Sequence, residues 1–423
     1  MNININVMKK CIMLFAGILA GAVMISSCNK DTDETWKTIP QEVITVDSGD
    51  AIFSVNGVET SAGSIKVSPK SSSSADVTLS GVVPGYSELV VSTSLSKSDE
   101  EGVYDFSGST SLTEGPSINL KGAAEPAEIY VISIEGTISL EGKVTGKVTT
   151  ALTERGKGDI AGLWSVNRVA PAVDEVATTG PVWITWTVND TEKYASAPQV
   201  GILVSAFASL AYADHLDQIN LCESGNVTIT YWDGESEDLD AKLDESGENY
   251  IFSATHDEWY KTEEDNQVFW FARNGYFYLI PNADNLAIED EDEDIDISRE
   301  TIYSTIKNLA VMKVDTEALT AVVDQVLKEG IAFKYEQSGD ALQLYIDKEQ
   351  IDPVVNAFIP ALPYLDILYS NYASSEDESE QQTAQSVKIV LSLLGLEKPS
   401  DFEGLWNATT EFKVELNFVK AVL

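Results

Sequence analysis

Hydrophobic and polar positions alternate through the first third of the chain with the period of two that half-buried strands require. Val43-Ile44-Thr45-Val46, Ile52-Phe53-Ser54-Val55, Ile65-Lys66-Val67, Val77-Thr78-Leu79 and Leu89-Val90-Val91 are β-branched runs parted by Gly, Ser, Asp and Pro. Val103 to Phe106, Ile118 to Leu120, Ile129 to Ile134 and Gly136 to Leu140 extend the series, and Glu141-Gly142 predicts a hairpin turn into Lys143 to Val148. No stretch between about 42 and 152 has a 3.6-residue period, so the pattern predicts an all-β sandwich or partly open barrel.

The pattern changes after Arg155-Gly-Lys-Gly-Asp159, which reads as a domain boundary. Gly156, Gly158 and Ala161 fit the spacing of a dinucleotide-binding loop, but a strand-like Leu163-Trp164-Ser165-Val166 follows where phosphate binding needs a helix N-terminus. From 160 to 423 the reading is α+β, a strand-rich domain with several helices inserted before the last strand. Val182 to Val188 predicts a strand. Ile202 to Ile219 predicts a helix with Leu203, Phe207, Leu210 and Ala211 as its apolar stripe. Strands follow at 227–232, 250–254, 268–272 and 276–280, the last two joined by Asn274-Gly275, whose residues favour the type I′ turn.

Further on, Ser298 is placed to cap one helix, and Asp315 or Thr316 the next, which ends at Gly330. A hairpin is expected around Ser338-Gly339. Helices are expected at 351–372, broken near Pro360 and Pro363, and at 383–396, with a final strand at 408–418. Gly-Leu-Trp occurs at 162–164 and again at 404–406, and both copies are expected to precede strands of one sheet as core tryptophans.

The N-terminus reads as an address. Lys9 and Lys10 precede an apolar run from Cys11 to Ile25, too short to span a bilayer and suited to a secretory signal. Ile25-Ser26-Ser27-Cys28 resembles the bacterial lipobox, which implies a signal peptide over 1–27, lipidation of Cys28 and a tether over 28–41. Asn29-Lys30-Asp31-Thr32-Asp33-Glu34 resembles the acidic export tag of Bacteroidetes lipoproteins, with Thr32 interrupting the acids. After signal removal and lipidation, Cys222 alone stays free and reads as a small buried hydrophobe.

Taken together, the lipobox, the tag and the β-rich domain at 42–155 resemble uncharacterised gut-Bacteroidetes surface lipoproteins with a calycin-like N-terminal domain. The segments that carry the likeness are Ile65 to Leu95, with Val77-Thr-Leu-Ser-Gly81, and Tyr130 to Val148. The resemblance implies an outer-membrane, lipid-anchored, surface-exposed location. It implies no chemistry.

Charge narrows the function. The chain has 68 acidic and 27 basic residues, a net charge of −41, which repels phosphate backbones and argues against nucleic-acid partners. Only two histidines occur, His215 near a helix end and His256 in a turn, and there is no G-x-S-x-G and no H-E-x-x-H. Asp290 to Asp296 lacks the glycine of a calcium-binding loop and reads as a solvated loop. No metal site, no cofactor and no catalytic residue is assigned.

Aromatics are the remaining lead. Trp232, Trp259, Tyr260, Trp270, Tyr276 and Tyr278 fall in one strand-rich stretch and are the candidate ligand-binding residues. The expectation is therefore a non-enzymatic lipoprotein whose C-terminal domain binds a neutral glycan or a small apolar molecule. The alternatives are a carboxylate-dependent envelope glycan hydrolase, with Glu258 as the first carboxylate to test, and a structural or adhesive component.

Overall fold

A computed structural model describes residues 34–421 apart from 61–62, 84–85, 87, 113–127, 175, 235–239, 254–255, 257, 265 and 283–298. The signal segment, Cys28, Ile118 to Leu120, Ser298 and the acidic run at 290–296 lie outside the described residues. The protein is mainly β, built on curled half-barrel sheets, with a helical C-terminal region before the last strand.

The first sheet has nine strands: β1 (Ile44–Thr45), β2 (Ala51–Val55), β3 (Val58–Glu59), β4 (Ser64–Ser71), β5 (Ser74–Ser80), β6 (Leu89–Lys97), β7 (Val103–Leu112), β8 (Tyr130–Ser139) and β9 (Val144–Leu152). From β4 to β9 it is an antiparallel meander; β1 borders β4, and β2 joins β9 in the one parallel pairing of the sheet. Burial alternates as the pattern predicts: Leu89, Val91, Thr93 and Leu95 are buried in β6 while the residues between them are exposed. Curling needs glycine at the inner face. A Cβ on Gly146 would lie 2.5 Å from the ring of Phe53, and one on Gly136 would lie 2.6 Å from Phe106. Each ring lies over a glycine of the adjacent strand, where any side chain would clash.

The segment expected as a polar tether is partly docked. Thr35–Thr38 forms a 3₁₀ turn, Thr35 Oγ1 lies 2.5 Å from the Tyr104 hydroxyl, Trp36 packs on the core and Ile39 is buried.

Helix α1 (Glu154–Lys157) occupies the expected boundary. Thr153 caps it, accepting from Gly156 N, and Gly156 is buried against Ile129. The second region contains β10 (Gly162–Val166), β11 (Val169–Val173), β12 (Val176–Ala177), β13 (Val182–Val188), β14 (Leu216–Leu221), β15 (Val227–Tyr231), β16 (Asp240–Leu243), β17 (Asn249–Ser253), β18 (Tyr260–Lys261), β19 (Val268–Arg273), β20 (Tyr276–Pro281), β21 (Ile331–Ser338), β22 (Ala341–Asp347) and β23 (Thr409–Lys420). Its main sheet runs β18-β15-β14-β10-β23-β22-β21-β20-β19, with β13 also on β23. The far strand β19 curls back to the β14–β15 turn: Trp270 N donates to Gly225 O and Trp270 Nε1 to Cys222 O, at 2.7 and 2.9 Å. A four-stranded sheet, β12-β11-β17-β16, lies beside it.

The helices are α2 (Ala197–His215), α3 (Arg299–Leu309), α4 (Thr316–Glu329), α5 (Lys348–Phe358), α6 (Leu362–Ala373), α7 (Glu378–Leu393) and α8 (Phe402–Ala408). Asp315 caps α4 and Gly330, at φ +84°, ends it. A 3₁₀ turn at Ile359–Ala361 separates α5 from α6 at the expected prolines. Asn274 and Gly275 both have positive φ, as the type I′ hairpin demands.

One local expectation here needs correction. The helix expected to reach Ile219 stops at His215, and Leu216–Leu221 is strand β14. Arg168 sits at that junction, donating from Nη2 to the carbonyls of Ala213 and Leu216. The Gly-Leu-Trp pair falls as expected in one sheet: the first copy opens β10, and the second lies in α8 immediately before β23. Both tryptophans are buried, and β10 and β23 pair directly.

The two regions, expected as separate folding units, share one continuous core from Phe53 and Ile132 through Trp164 and Trp270 to Phe418. Polar groups stitch the joint. The Tyr130 hydroxyl donates to Trp270 O, Leu152 N to Glu223 O and Thr150 Oγ1 to Ser224 O. Asn266, buried at φ +62°, donates from Nδ2 to Val55 O and from its backbone N to Asn226 Oδ1.

Candidate functional site

The six aromatic candidates separate into two groups. Trp270 and Tyr278 lie on β19 and β20 with no exposed surface, stacked among Phe271, Phe277 and the first sheet. Tyr276 is half-buried at the mouth of the same hairpin. Burial pushes the Tyr278 hydroxyl up to about 12. These three are not brought together with the others.

Trp232, Trp259 and Tyr260 meet at the outer edge of the main sheet. Edge strand β18 pairs with β15, setting Tyr260 opposite Tyr231, with ring centroids 6.0 Å apart. Trp232 follows β15 and is pinned to the end of α2: its backbone N donates to His215 O, and its carbonyl lies 3.0 Å from His215 Nδ1. Gly234 closes over its indole, where a Cβ would fall 2.4 Å from the ring. Trp232 and Tyr260 are nearly parallel at 6.1 Å, and Tyr260 is 51% exposed.

Behind these rings lies a charged support that the sequence did not reveal. His256 stacks on Trp232 at 4.3 Å and meets Trp259 edge-on at 5.4 Å. Its Nε2 is 2.8 Å from Asp214 Oδ1, and both side chains are almost wholly buried. Arg168 reaches in from the start of β11, with Nη1 2.7 Å from Asp217 Oδ1 and its guanidinium 5.6 Å from the Trp259 ring. Arg168, the Asp214–Asp217 pair and His256 come from three separate segments; the grouping of Asp214, His215 and Asp217 at one helix end was the only local signal. Trp232 Nε1 and Arg168 Nε are buried donors with no acceptor among the described residues.

A concavity of about 510 Å³ lies where β22, α5 and β23 meet. Two of its carboxylates, Asp347 and Asp352, are engaged. Asp347 pairs with Lys334 and caps α5; Asp352 accepts from Lys348 Nζ at 2.7 Å and Trp406 Nε1 at 2.8 Å. Lys413, paired with Glu415, lies 4.0 Å over the Tyr345 ring. These contacts brace the helical region against β23.

Other sequence candidates have plain positions. Glu258 is exposed at the rim of the aromatic edge. Cys222 is buried and free, and desolvation pushes its thiol up to about 11, away from nucleophile chemistry. No group of three or more metal-ligating side chains occurs among the described residues. No known protein family, no curated protein and no solved structure matches the chain.

Proposed function

We propose that this is a lipid-anchored protein of the outer-membrane surface that binds the end of a neutral glycan at the Trp232–Trp259–Tyr260 edge, without catalysis. The observation that carries the reading is the pairing of a half-exposed, ring-stacked aromatic platform with two buried N–H donors that have no acceptor among the described residues. Aromatic faces take the C–H faces of a sugar, and orphan donors suit its hydroxyl and ring oxygens. The charge of −41 selects against polyanions. The lipobox-like Ile25-Ser26-Ser27-Cys28 supports the anchored location.

Calorimetric titration with neutral oligosaccharides tests the site. Trp259→Ala and Tyr260→Ala should each weaken a detected interaction at least about tenfold, on the scale of one lost ring contact. An array of neutral glycans without a hit, or binding untouched by either substitution, defeats the reading.

A further inference from the structure

Helix α2 is packed with its small side chains inward. Its buried residues, Ala197, Gly201, Ser205, Ser209 and Ala213, recur once per turn against β13. Ser205 Oγ accepts from Ile184 N and donates to Gly201 O; Ser209 Oγ accepts from Val182 N and donates to Val182 O. Of the stripe expected at helical spacing, Leu203, Phe207, Leu210 and Ala211, only Leu210 packs inward, while Leu203, Phe207 and Ala211 face outward. Phe207 is 66% exposed, and Ile202, Leu203 and Val204 are each at least 40% exposed. From Ala197 to Ala213 there is no charged side chain, in a chain of net charge −41. Such a face exceeds the scattered single hydrophobics of an ordinary surface.

We infer that the outer face of α2 is where two copies of this chain meet across a two-fold axis. Charge is the first argument. Two bodies this acidic approach closely only through surface free of carboxylates, and α2 supplies it. Shape is the second. Leu203 and Phe207 project as knobs one turn apart, while exposed Ala206 and Ala211 leave shallow holes. An antiparallel pair centred on Phe207 sets Leu203 of each copy opposite Ala211 of the other, an isologous fit. A bilayer makes no use of such holes. The approach to the helix carries Asp190 and Glu192 beside Lys193, not the basic flank of an interfacial helix.

Continuity is the third argument. The first turn of α2 shares a small core with the end of α7, through Ala197, Leu391 and Leu394. Ile389, Val390 and Leu393 of α7 are exposed too. They add exposed apolar surface close to the first turn of α2.

The test is sedimentation equilibrium of the full chain carrying Cys28→Ala, to remove the acyl anchor. The expected result is a dimer that tightens as salt is raised and the surrounding carboxylates are screened. Phe207→Asp should weaken association at least tenfold with an unchanged circular dichroism spectrum. The double variant Leu203→Cys with Ala211→Cys should form a disulfide-linked dimer on oxidation. A monomer at high micromolar concentration, a dimer loosened by salt, or a dimer indifferent to Phe207→Asp overturns the inference. Flotation of a monomer on phosphatidylcholine vesicles, lost with Phe207→Asp, overturns it in favour of a lipid surface.

Discussion

The β19–β20 hairpin and the β15–β18 edge are both rich in aromatic residues, and the fold puts them to opposite uses. In the hairpin, Phe269, Trp270, Phe271, Phe277 and Tyr278 are sealed because the first sheet lies against them and β19 closes onto the Cys222–Asn226 turn. At the edge, Tyr260 lies on the end strand β18, whose only strand partner among the described residues is β15, and it is 51% exposed beside Tyr231 and Trp232. Their rings are ordered by Asp214, His256, Arg168 and Gly234 rather than by enclosure. Ring content alone therefore does not separate a core from a binding surface. Both β18 and β19 end the main sheet, and what lies against each of them makes the difference.

The largest expected effect lies in the hairpin. Trp270→Ala removes a fully buried indole and its hydrogen bond to Cys222 O, and should cost about 3–5 kcal/mol in denaturant unfolding. A loss below 1 kcal/mol would erase the contrast between hairpin and edge. Next comes Gly234→Ala. Its Cβ would press into the Trp232 ring, so the substitution should cost about 1–3 kcal/mol by displacing the indole. It should also reduce any glycan affinity, read by the same titration; unchanged binding would mean that Trp232 does not shape the platform.

The smallest effect is Tyr278→Phe. The hydroxyl is buried without an acceptor among the described residues, so its loss at neutral pH should be near neutral. The raised value matters in alkali. A tyrosine held at about 12 when folded and near 10 when unfolded contributes stability that is complete below about pH 10 and declines as pH rises toward 12. Thermal melts across that window should show a shallower alkaline decline in the variant. An unchanged profile would place the alkaline sensitivity with the other buried tyrosines, Tyr86, Tyr130 and Tyr212, which burial raises as well.

Local pattern determined most of the fold. Alternation in β6, the Asn274-Gly275 turn, the Asp315 cap and the Pro360 break are decided by neighbours in sequence, and they were legible there. Three features were not. Leu203 and Phe207 form a proper apolar stripe, yet Gly201, Ser205 and Ser209 face β13 because only small residues permit so close an approach. The shared core depends on Tyr130 and Asn266 reaching partners in the other region, at sequence separations that no local signal carries. The edge site is assembled from Arg168, Asp214, Trp232 and His256 on four separate segments, so its chemistry existed only as isolated residues along the chain.

The joint between the two sheets also has a mechanical side. The chain is held at its start by Trp36 and Ile39 on the first sheet, while the aromatic edge lies in the second region. Tension between those ends would pass through the backbone at α1, where Gly156 is wedged against Ile129. In parallel it would pass through the hydrogen bonds from Leu152 to Glu223, Thr150 to Ser224 and Asn266 to Val55. Bonds that share a load must fail together rather than in turn. A body joined this way transmits a pull between the first sheet and the aromatic edge instead of stretching at a hinge.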